Sequence, residues 1–153
     1  MARIEEIPQP TRDAILGLAC STPDTSPWVN AVPLAQRRVA IVTSAALHRR
    51  EETPFPAGSG EFRELPAAVS AGDFVMSHVS INYDRAGYQR DLNVIYPVDR
   101  MRELASEGVI AAAADTNFAV MGSTDPKLMS ETVDALMARF ERDRIDAVLF
   151  SPV

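Results

Sequence analysis

The stretch RVAIVTS, at residues 38–44, decides the fold of this 153-residue chain. Four consecutive apolar residues, from Val39 to Val42, form its centre. A strand with only one covered face alternates apolar and polar residues, whereas a strand covered on both faces is apolar throughout. The stretch therefore predicts a strand buried on both faces, as in a parallel α/β sheet.

The flanking sequence supplies further elements of the same kind. Apolar spacing along the chain predicts strands at 62–65, 74–77, 109–113 and 147–151, and helices at 11–19, 97–107 and 125–142. Thr11 is the expected cap of the first helix, and Asp125-Pro126 is the expected start of the last. The order helix, strand, helix, strand in the second half implies βαβ crossovers. We predict one three-layer α/β domain with a mainly parallel sheet and flanking helices.

The expected domain covers residues 37–153. Residues 1–36 are interpreted as a leader that packs on the core, with prolines that break the chain and Trp28 as a hydrophobic anchor. Residues 49–73 are predicted to be a loop region because they are rich in proline and glycine.

Composition narrows the class of protein. The chain is 46% hydrophobic and 24% charged, with a net charge of −6, so nucleic acid is not an expected partner. No apolar run approaches the ~20 residues of a membrane span. The lone Cys20 excludes an internal disulfide, and the start MARIEEIPQP has no apolar signal region, so a cytoplasmic location is expected.

No cofactor motif is present in the sequence. Gly58-Ser59-Gly60 lacks both the lysine and the strand-to-helix context of a phosphate-binding loop. Cys20 has no neighbouring histidine or second cysteine, which favours a structural role for it. We therefore expect neither a metal nor an organic cofactor.

Candidate site residues follow the predicted strands, since ligands of open parallel sheets bind beyond the carboxyl ends of the strands. Four segments qualify: Thr43-Ser44 with His48, Ser77-His78, Thr116 to Ser123, and Ser151 to Val153. The two histidines suit proton transfer. The alternatives are structural histidines, or a metal site of His48, His78 and Asp84 that no ligand spacing supports.

The segment 77–91, SHVSINYDRAGYQRD, is dense in hydrogen-bonding side chains, which is typical of a functional loop. Arg90 is suited to clamp a carboxylate with two parallel hydrogen bonds. The alternative is an internal salt bridge from Arg90 to Asp84, Asp91 or Asp99.

Four stretches together carry a resemblance to a known family. They are VAIVTSAALHRREETPF at 39–55, FRELP at 62–66, SHVSINYDRAGYQRDLNVIYPVDRMRELASEGVI at 77–110, and DAVLFSPV at 146–153. Together they resemble the selenoprotein B component of glycine, sarcosine and betaine reductases and its D-proline reductase relatives.

The resemblance implies a reductase that cleaves a C–N bond of an amino-acid derivative. It also implies a selenocysteine or cysteine nucleophile directly after the final strand, a thioredoxin-like electron donor and further reductase subunits. The given sequence stops at Val153, so we expect the reading frame to continue through a UGA codon. The alternatives are a short paralogue without the nucleophile, acting as a small-molecule binder, or a regulatory subunit with the same pocket. A homo-oligomer is expected.

Position by position, His48, His78, Asp84, Arg90 and Asp91 match residues characteristic of that family. The resemblance implies catalytic roles for His48, His78 and Asp84, with a histidine transferring a proton to the leaving amine and Asp84 orienting it. Substrate binding is assigned to Ser44, Arg90 and Asp91, with Arg90 on the substrate carboxylate. No metal ligand is implied.

Overall fold

The fold is described from a computed structural model, which covers residues 4–17, 26, 29–80, 83 and 85–153. The chain divides into two compact units, Met1–Ala31 and Val32–Val153. The first holds a 3₁₀ turn at Ile4–Glu6 and a helix, α1, at Gln9–Leu16. This helix begins two residues before the predicted cap Thr11, so that prediction was wrong. Trp28 and Cys20 lie outside the described residues, and the packing of the leader stays a prediction.

The described residues of the second unit form seven strands and three α-helices. The strands are β1 (Arg38–Thr43), β2 (Leu47–Arg49), β3 (Phe62–Pro66), β4 (Phe74–Met76), β5 (Ala112–Ala113), β6 (Thr116–Val120) and β7 (Ala147–Ser151). The helices are α2 (Ala86–Arg90), α3 (Val98–Ser106) and α4 (Ser130–Arg142). Short 3₁₀ segments lie at Leu34–Gln36, Ala71–Asp73, Leu92–Val94 and Pro126–Met129.

Strand β1 lies at the centre of the main sheet. On one side β7 pairs with it in parallel, with Val39 opposite Ala147 and Thr43 opposite Ser151. On the other side β5 and then β6 pair with it, also in parallel, and β3 adds to β6 in the antiparallel sense. Strands β2 and β4 form a separate antiparallel ribbon. The predicted α/β domain with a mainly parallel sheet is confirmed.

Alternate residues of β1 face two separate cores. Val39 and Ile41 belong to the core that includes Met101 of α3, whereas Ala40 and Val42 pack with Leu136 of α4. Successive side chains of a strand point to opposite faces, so an uninterrupted apolar run requires cover on both. This arrangement gives the three layers expected from the sequence.

A buried amide bridges the interruption between β5 and β6. The side-chain Oδ1 of Asn117 accepts the backbone N–H of Ile41 at 2.8 Å, and its Nδ2 donates to the Tyr96 hydroxyl at 2.9 Å. That hydroxyl donates to the Leu65 carbonyl at 3.4 Å, and burial raises the pKa of Tyr96 to about 12. The network gives the buried N–H of Ile41 a hydrogen-bond partner at the gap between β5 and β6, where no strand backbone provides one.

Most predicted elements of the second unit are confirmed, and the others are corrected as follows. Asp125 caps the 3₁₀ segment Pro126–Met129, since its side chain accepts the Lys127 N–H at 3.0 Å, and α4 begins only at Ser130. The predicted strand at 109–113 is reduced to β5, and the segment after it, expected to be a site loop, begins with β6. The short strand β2 was also missed, so His48 lies within a strand rather than in a turn. Within the described part of the chain, no helix has the length and apolarity needed to cross a bilayer.

Candidate active site at the carboxyl edge of the sheet

Ser44 joins the carboxyl ends of three parallel strands. Its backbone N–H donates to the Ser151 carbonyl at 3.1 Å, and its own carbonyl accepts the Gly122 N–H at 3.0 Å. Its side-chain Oγ accepts the backbone N–H of Val153 at 2.8 Å. Ser44 therefore lies at the strand end where the sequence predicted it, and it fixes the backbone that leaves β7.

Gly122 permits this close approach. A Cβ atom at residue 122 would lie 2.8 Å from the Ser44 carbonyl oxygen and 2.9 Å from its Cβ, closer than carbon atoms in proteins approach. Sequence analysis did not single out Gly122. Its signal is a glycine directly after a strand, at the edge where ligands of such sheets bind.

Ala46 links this edge to the β2–β4 ribbon. Its N–H donates to the Val120 carbonyl at 2.9 Å, and its carbonyl accepts the Ser77 N–H at 3.1 Å. The residue is fully buried and has φ of 52°, a left-handed conformation that is costly for a residue with a side chain. Strain of this kind clusters at functional sites, and here two hydrogen bonds hold it in place.

His48 is bonded through both ring nitrogens. Its Nδ1 lies 2.7 Å from the Arg49 carbonyl oxygen, and its Nε2 lies 2.8 Å from Ser77 Oγ. The ring packs edge-on against Phe55 and is only 2% exposed. The side chain that His48 contacts through a hydrogen bond is Ser77, which the sequence placed after a predicted strand without assigning it a role.

His78 is also buried, but its surroundings differ. Its Nδ1 accepts the backbone N–H of Ser80 at 3.1 Å, so the neutral ring carries its proton on Nε2. The ring lies 6.2 Å from the Tyr83 ring. Burial, and next the charge of Arg85, lower the pKa of His78 below 6.5. A neutral imidazole at this position can accept or pass on a proton near neutral pH.

Arg90 and Asp91 lie at a different place. They line a polar cavity of about 350 Å³ together with Asn93, Asp99 and Arg102, and Ser44, His48 and His78 are not part of that lining. The Asp91 side chain accepts the Asn93 N–H at 2.9 Å. Hydrogen bonds from the side chain and then the backbone of Asn93 lower the pKa of Asp91.

The predicted site residues are thus only partly brought together. Ser44 and His48 are connected through Ala46 and Ser77, whereas Arg90 belongs to the polar cavity. Among the described residues, Arg90 forms no salt bridge with Asp91 or Asp99; Asp99 pairs with Arg102 instead. Asp84 lies outside the described residues.

Metal ligation finds no support in the part of the chain that is described. There, no three histidine, cysteine, aspartate or glutamate side chains are close enough to hold an ion. The site that combines His48, His78 and Asp84 is left without a described third ligand.

An apolar groove of about 330 Å³ lies between α4 and the end of β7. Val133, Met137 and Phe150 line it, and Ser44 and Ser151 also contribute to its lining. Phe150 is 72% exposed. It belongs to β7, which pairs only with β1 among the described elements. The groove therefore joins an apolar surface to the carboxyl edge of the sheet.

Comparisons with known proteins identify the family of this chain. Residues 64–152, more than half of the chain, match the family model for Glycine/sarcosine/betaine reductase selenoprotein B. Over 121 residues the chain is 37% identical to D-proline reductase subunit gamma of Acetoanaerobium sticklandii, an alignment that covers 77% of this chain and 49% of that relative. The chain thus spans about half the length of this curated relative. No solved structure matches this chain. The chain belongs to the glycine/sarcosine/betaine reductase selenoprotein B family.

Proposed function

We propose that this chain is the substrate-binding and catalytic component of a selenol- or thiol-dependent reductase that cleaves a C–N bond of an amino-acid derivative. Candidate substrates are of the glycine, betaine, sarcosine or D-proline type. The observation that carries the proposal is the hydrogen bond from the Val153 N–H to Ser44 Oγ. It holds the backbone after β7 at the carboxyl edge, on the same hydrogen-bonded framework as Ser77 and His48.

The nucleophile of the proposed reaction is a selenocysteine or cysteine that follows Val153 in the full protein. Its selenolate or thiolate attacks the carbon that bears the amine, so that a bond to carbon forms, the C–N bond breaks and the amine leaves with a proton. A thiol then attacks the selenium or sulfur, and the carbon takes the electron pair and a proton. A thioredoxin-like donor reduces the resulting selenenyl sulfide or disulfide.

The proposed roles of the side chains follow their surroundings. His78, which is neutral and can take up a proton first, passes that proton to the leaving amine; the alternative donor is a protonated His48, acting through Ser77. Arg90, which forms no ion pair with a described residue, binds the substrate carboxylate. Asp84 orienting a histidine and Asp91 binding substrate stay predictions.

The nucleotide sequence beyond codon 153 tests the nucleophile. A UGA or cysteine codon directly after Val153 supports the proposal, and any other codon contradicts it. Isothermal titration of the purified chain with glycine, betaine, sarcosine and D-proline tests substrate binding. Binding of one of them that weakens at least tenfold in Arg90→Ala, but not in the exposed control Arg100→Ala, is the expected result. Equal binding by both variants would remove Arg90 from the site.

A second function is a small-molecule-binding or regulatory subunit without redox chemistry. The separation of the polar cavity at Arg90 from Ser44 favours it, since a ligand in that cavity does not need to meet a nucleophile after Val153. Tight binding of a carboxylate ligand by a chain whose gene encodes neither selenocysteine nor cysteine after that position would select this function.

We also expect a homo-oligomer, formed by two copies that meet at the groove between α4 and β7. Val133, Met137 and Phe150 are each at least half exposed there. Helix α4 has Glu131 in its first turn and Arg142 in its last, so two antiparallel copies would match opposite charges. Light scattering after size-exclusion chromatography should show a dimer that Phe150→Ser converts to a monomer, whereas a wild-type monomer would contradict this expectation.

A further inference from the structure

The β2–β4 ribbon places a serine and a buried histidine in direct contact. In its register His48 lies opposite Val75, and Ser77 comes two residues after Val75, directly beyond the end of β4. Diagonal neighbours on one face of an antiparallel pair are within reach of long side chains. The 2.8 Å distance between His48 Nε2 and Ser77 Oγ is a direct consequence of this register.

The hydrogen-bond partners decide where the proton lies. The carbonyl oxygen of Arg49, 2.7 Å from His48 Nδ1, only accepts hydrogen bonds, so Nδ1 carries the proton. In the neutral ring Nε2 then has a free lone pair, and Ser77 Oγ–H must be the donor. The carbonyl therefore orients the imidazole as a base that faces the serine hydroxyl.

The two side chains differ in their exposure to solvent. His48 is 2% exposed and cannot contact a ligand, whereas Ser77 is only half-buried. Among the described residues, Ser77 Oγ has no hydrogen-bond partner other than His48. Its backbone N–H is bonded to Ala46, which places the hydroxyl near the carboxyl edge of the sheet.

We propose that Ser77 is an activated serine that reacts with acyl or phosphonyl electrophiles, with His48 as its general base and the Arg49 carbonyl as the orienting group. This activity goes beyond the proposed reductase function and needs no selenol. In the reaction with a fluorophosphonate, a bond forms between Oγ and phosphorus while the P–F bond breaks. Fluoride leaves, and the proton of Oγ moves to His48 Nε2.

Labelling of the purified chain with a fluorophosphonate, followed by peptide mass spectrometry, tests the proposal. We expect the label on Ser77, its loss in Ser77→Ala, and its retention in Ser106→Ala, an exposed serine whose hydroxyl also makes one hydrogen bond. His48→Gln should label at least about 100-fold more slowly, the usual contribution of a general base. Absence of label on Ser77, or equal label on Ser106, would overturn the proposal.

A second measurement, made on the wild-type chain, tests the proposal even if the His48 variant does not fold. Two-bond ¹⁵N–¹H correlation spectra of the wild-type chain report which ring nitrogen carries the proton. We expect the Nδ1-protonated form for His48. An Nε2-protonated ring would donate to Ser77 instead of accepting from it, and would refute the proposal without any substitution. Neither experiment depends on reductase activity, so a failure here removes only the proton path from His48 through Ser77 and leaves the rest of the proposed function untouched.

Discussion

Replacing Asn117 with alanine should destabilise the protein more than its single buried amide suggests. Asn117 serves two partners at once, the Ile41 N–H on the central strand and the Tyr96 hydroxyl. Asn117 and Ile41 are at most 2% exposed, and Tyr96 is 1% exposed, so water cannot replace the lost bonds. The variant therefore leaves a donor of the central strand buried and unpaired.

The magnitude follows from these two losses. An unpaired buried donor costs about 1–3 kcal/mol, and the bond to Tyr96 contributes about 0.5–1.5 kcal/mol. Together they predict a loss of about 2–4 kcal/mol in the free energy of unfolding. For a chain of this size, that corresponds to a fall in melting temperature of roughly 4–16 °C. Tyr96→Phe spares the bond to Ile41 but leaves the Asn117 Nδ2 donor without its partner, so it should cost about 1–2 kcal/mol, less than Asn117→Ala.

Urea unfolding followed by circular dichroism measures both variants. Ser106→Ala is a matched control, since it removes one hydrogen bond of an exposed side chain, and it should change the free energy of unfolding by less than about 0.5 kcal/mol. The double variant of Asn117 and Tyr96 should be less destabilised than the sum of the single ones. A loss below about 1 kcal/mol for Asn117→Ala, or one equal to that of Tyr96→Phe, would refute the reasoning.

Three further predictions concern the carboxyl edge and the surface. Gly122→Ala should lower the free energy of unfolding by about 1–3 kcal/mol, because its methyl group would meet Ser44; urea unfolding measures this, and an unchanged midpoint would contradict it. The pKa of His78 is lowered below 6.5 by burial, so the unfolded chain binds that proton first as the pH falls. The free energy of unfolding should therefore decrease as the pH falls from 6.5 through the folded-state pKa of His78. Urea midpoints taken between neutral pH and about pH 5 should depend less on pH in His78→Gln than in the wild-type chain. An equally steep dependence in the variant would assign it to another group. Arg139→Ala removes the 2.6 Å ion pair with Glu64, yet it should cost only about 0–1 kcal/mol, an effect that high salt abolishes; a larger cost that persists in salt would show that packing, not charge, is lost.

Elements with strong apolar patterns were predictable from the sequence. The continuous apolar run of β1 is typical of a strand covered on both faces, and the apolar stripe of α4 is typical of a helix with one buried face. β6 was missed because Thr116 and Asn117 are polar and typical of loops, while the partners that satisfy Asn117 lie at Ile41 and Tyr96, far away in the sequence. The three residues of β2 are too few to show a period.

The candidate site was predictable only where position relative to a strand was enough. Ser44 follows the first strand, and its place at the sheet edge needs no further information. The contact between His48 and Ser77 depends on the register of two strands whose residues are 29 positions apart. The separation of Arg90 from Ser44 depends on how the segment after β4 folds back, which composition does not encode.

The pairing of β1 with β7 has a consequence for how the protein acquires its fold. The backbone N–H of Arg38 donates to the side chain of Asp146, 108 residues later, at the start of the ladder between β1 and β7. Such distant partners impose a high entropic cost of loop closure and slow folding. During synthesis, β1 leaves the ribosome long before β7 exists and must wait with one edge open. We therefore expect residues 38–43, which are mostly apolar and lack their β7 partner during that interval, to be the part of the chain most prone to aggregate during synthesis.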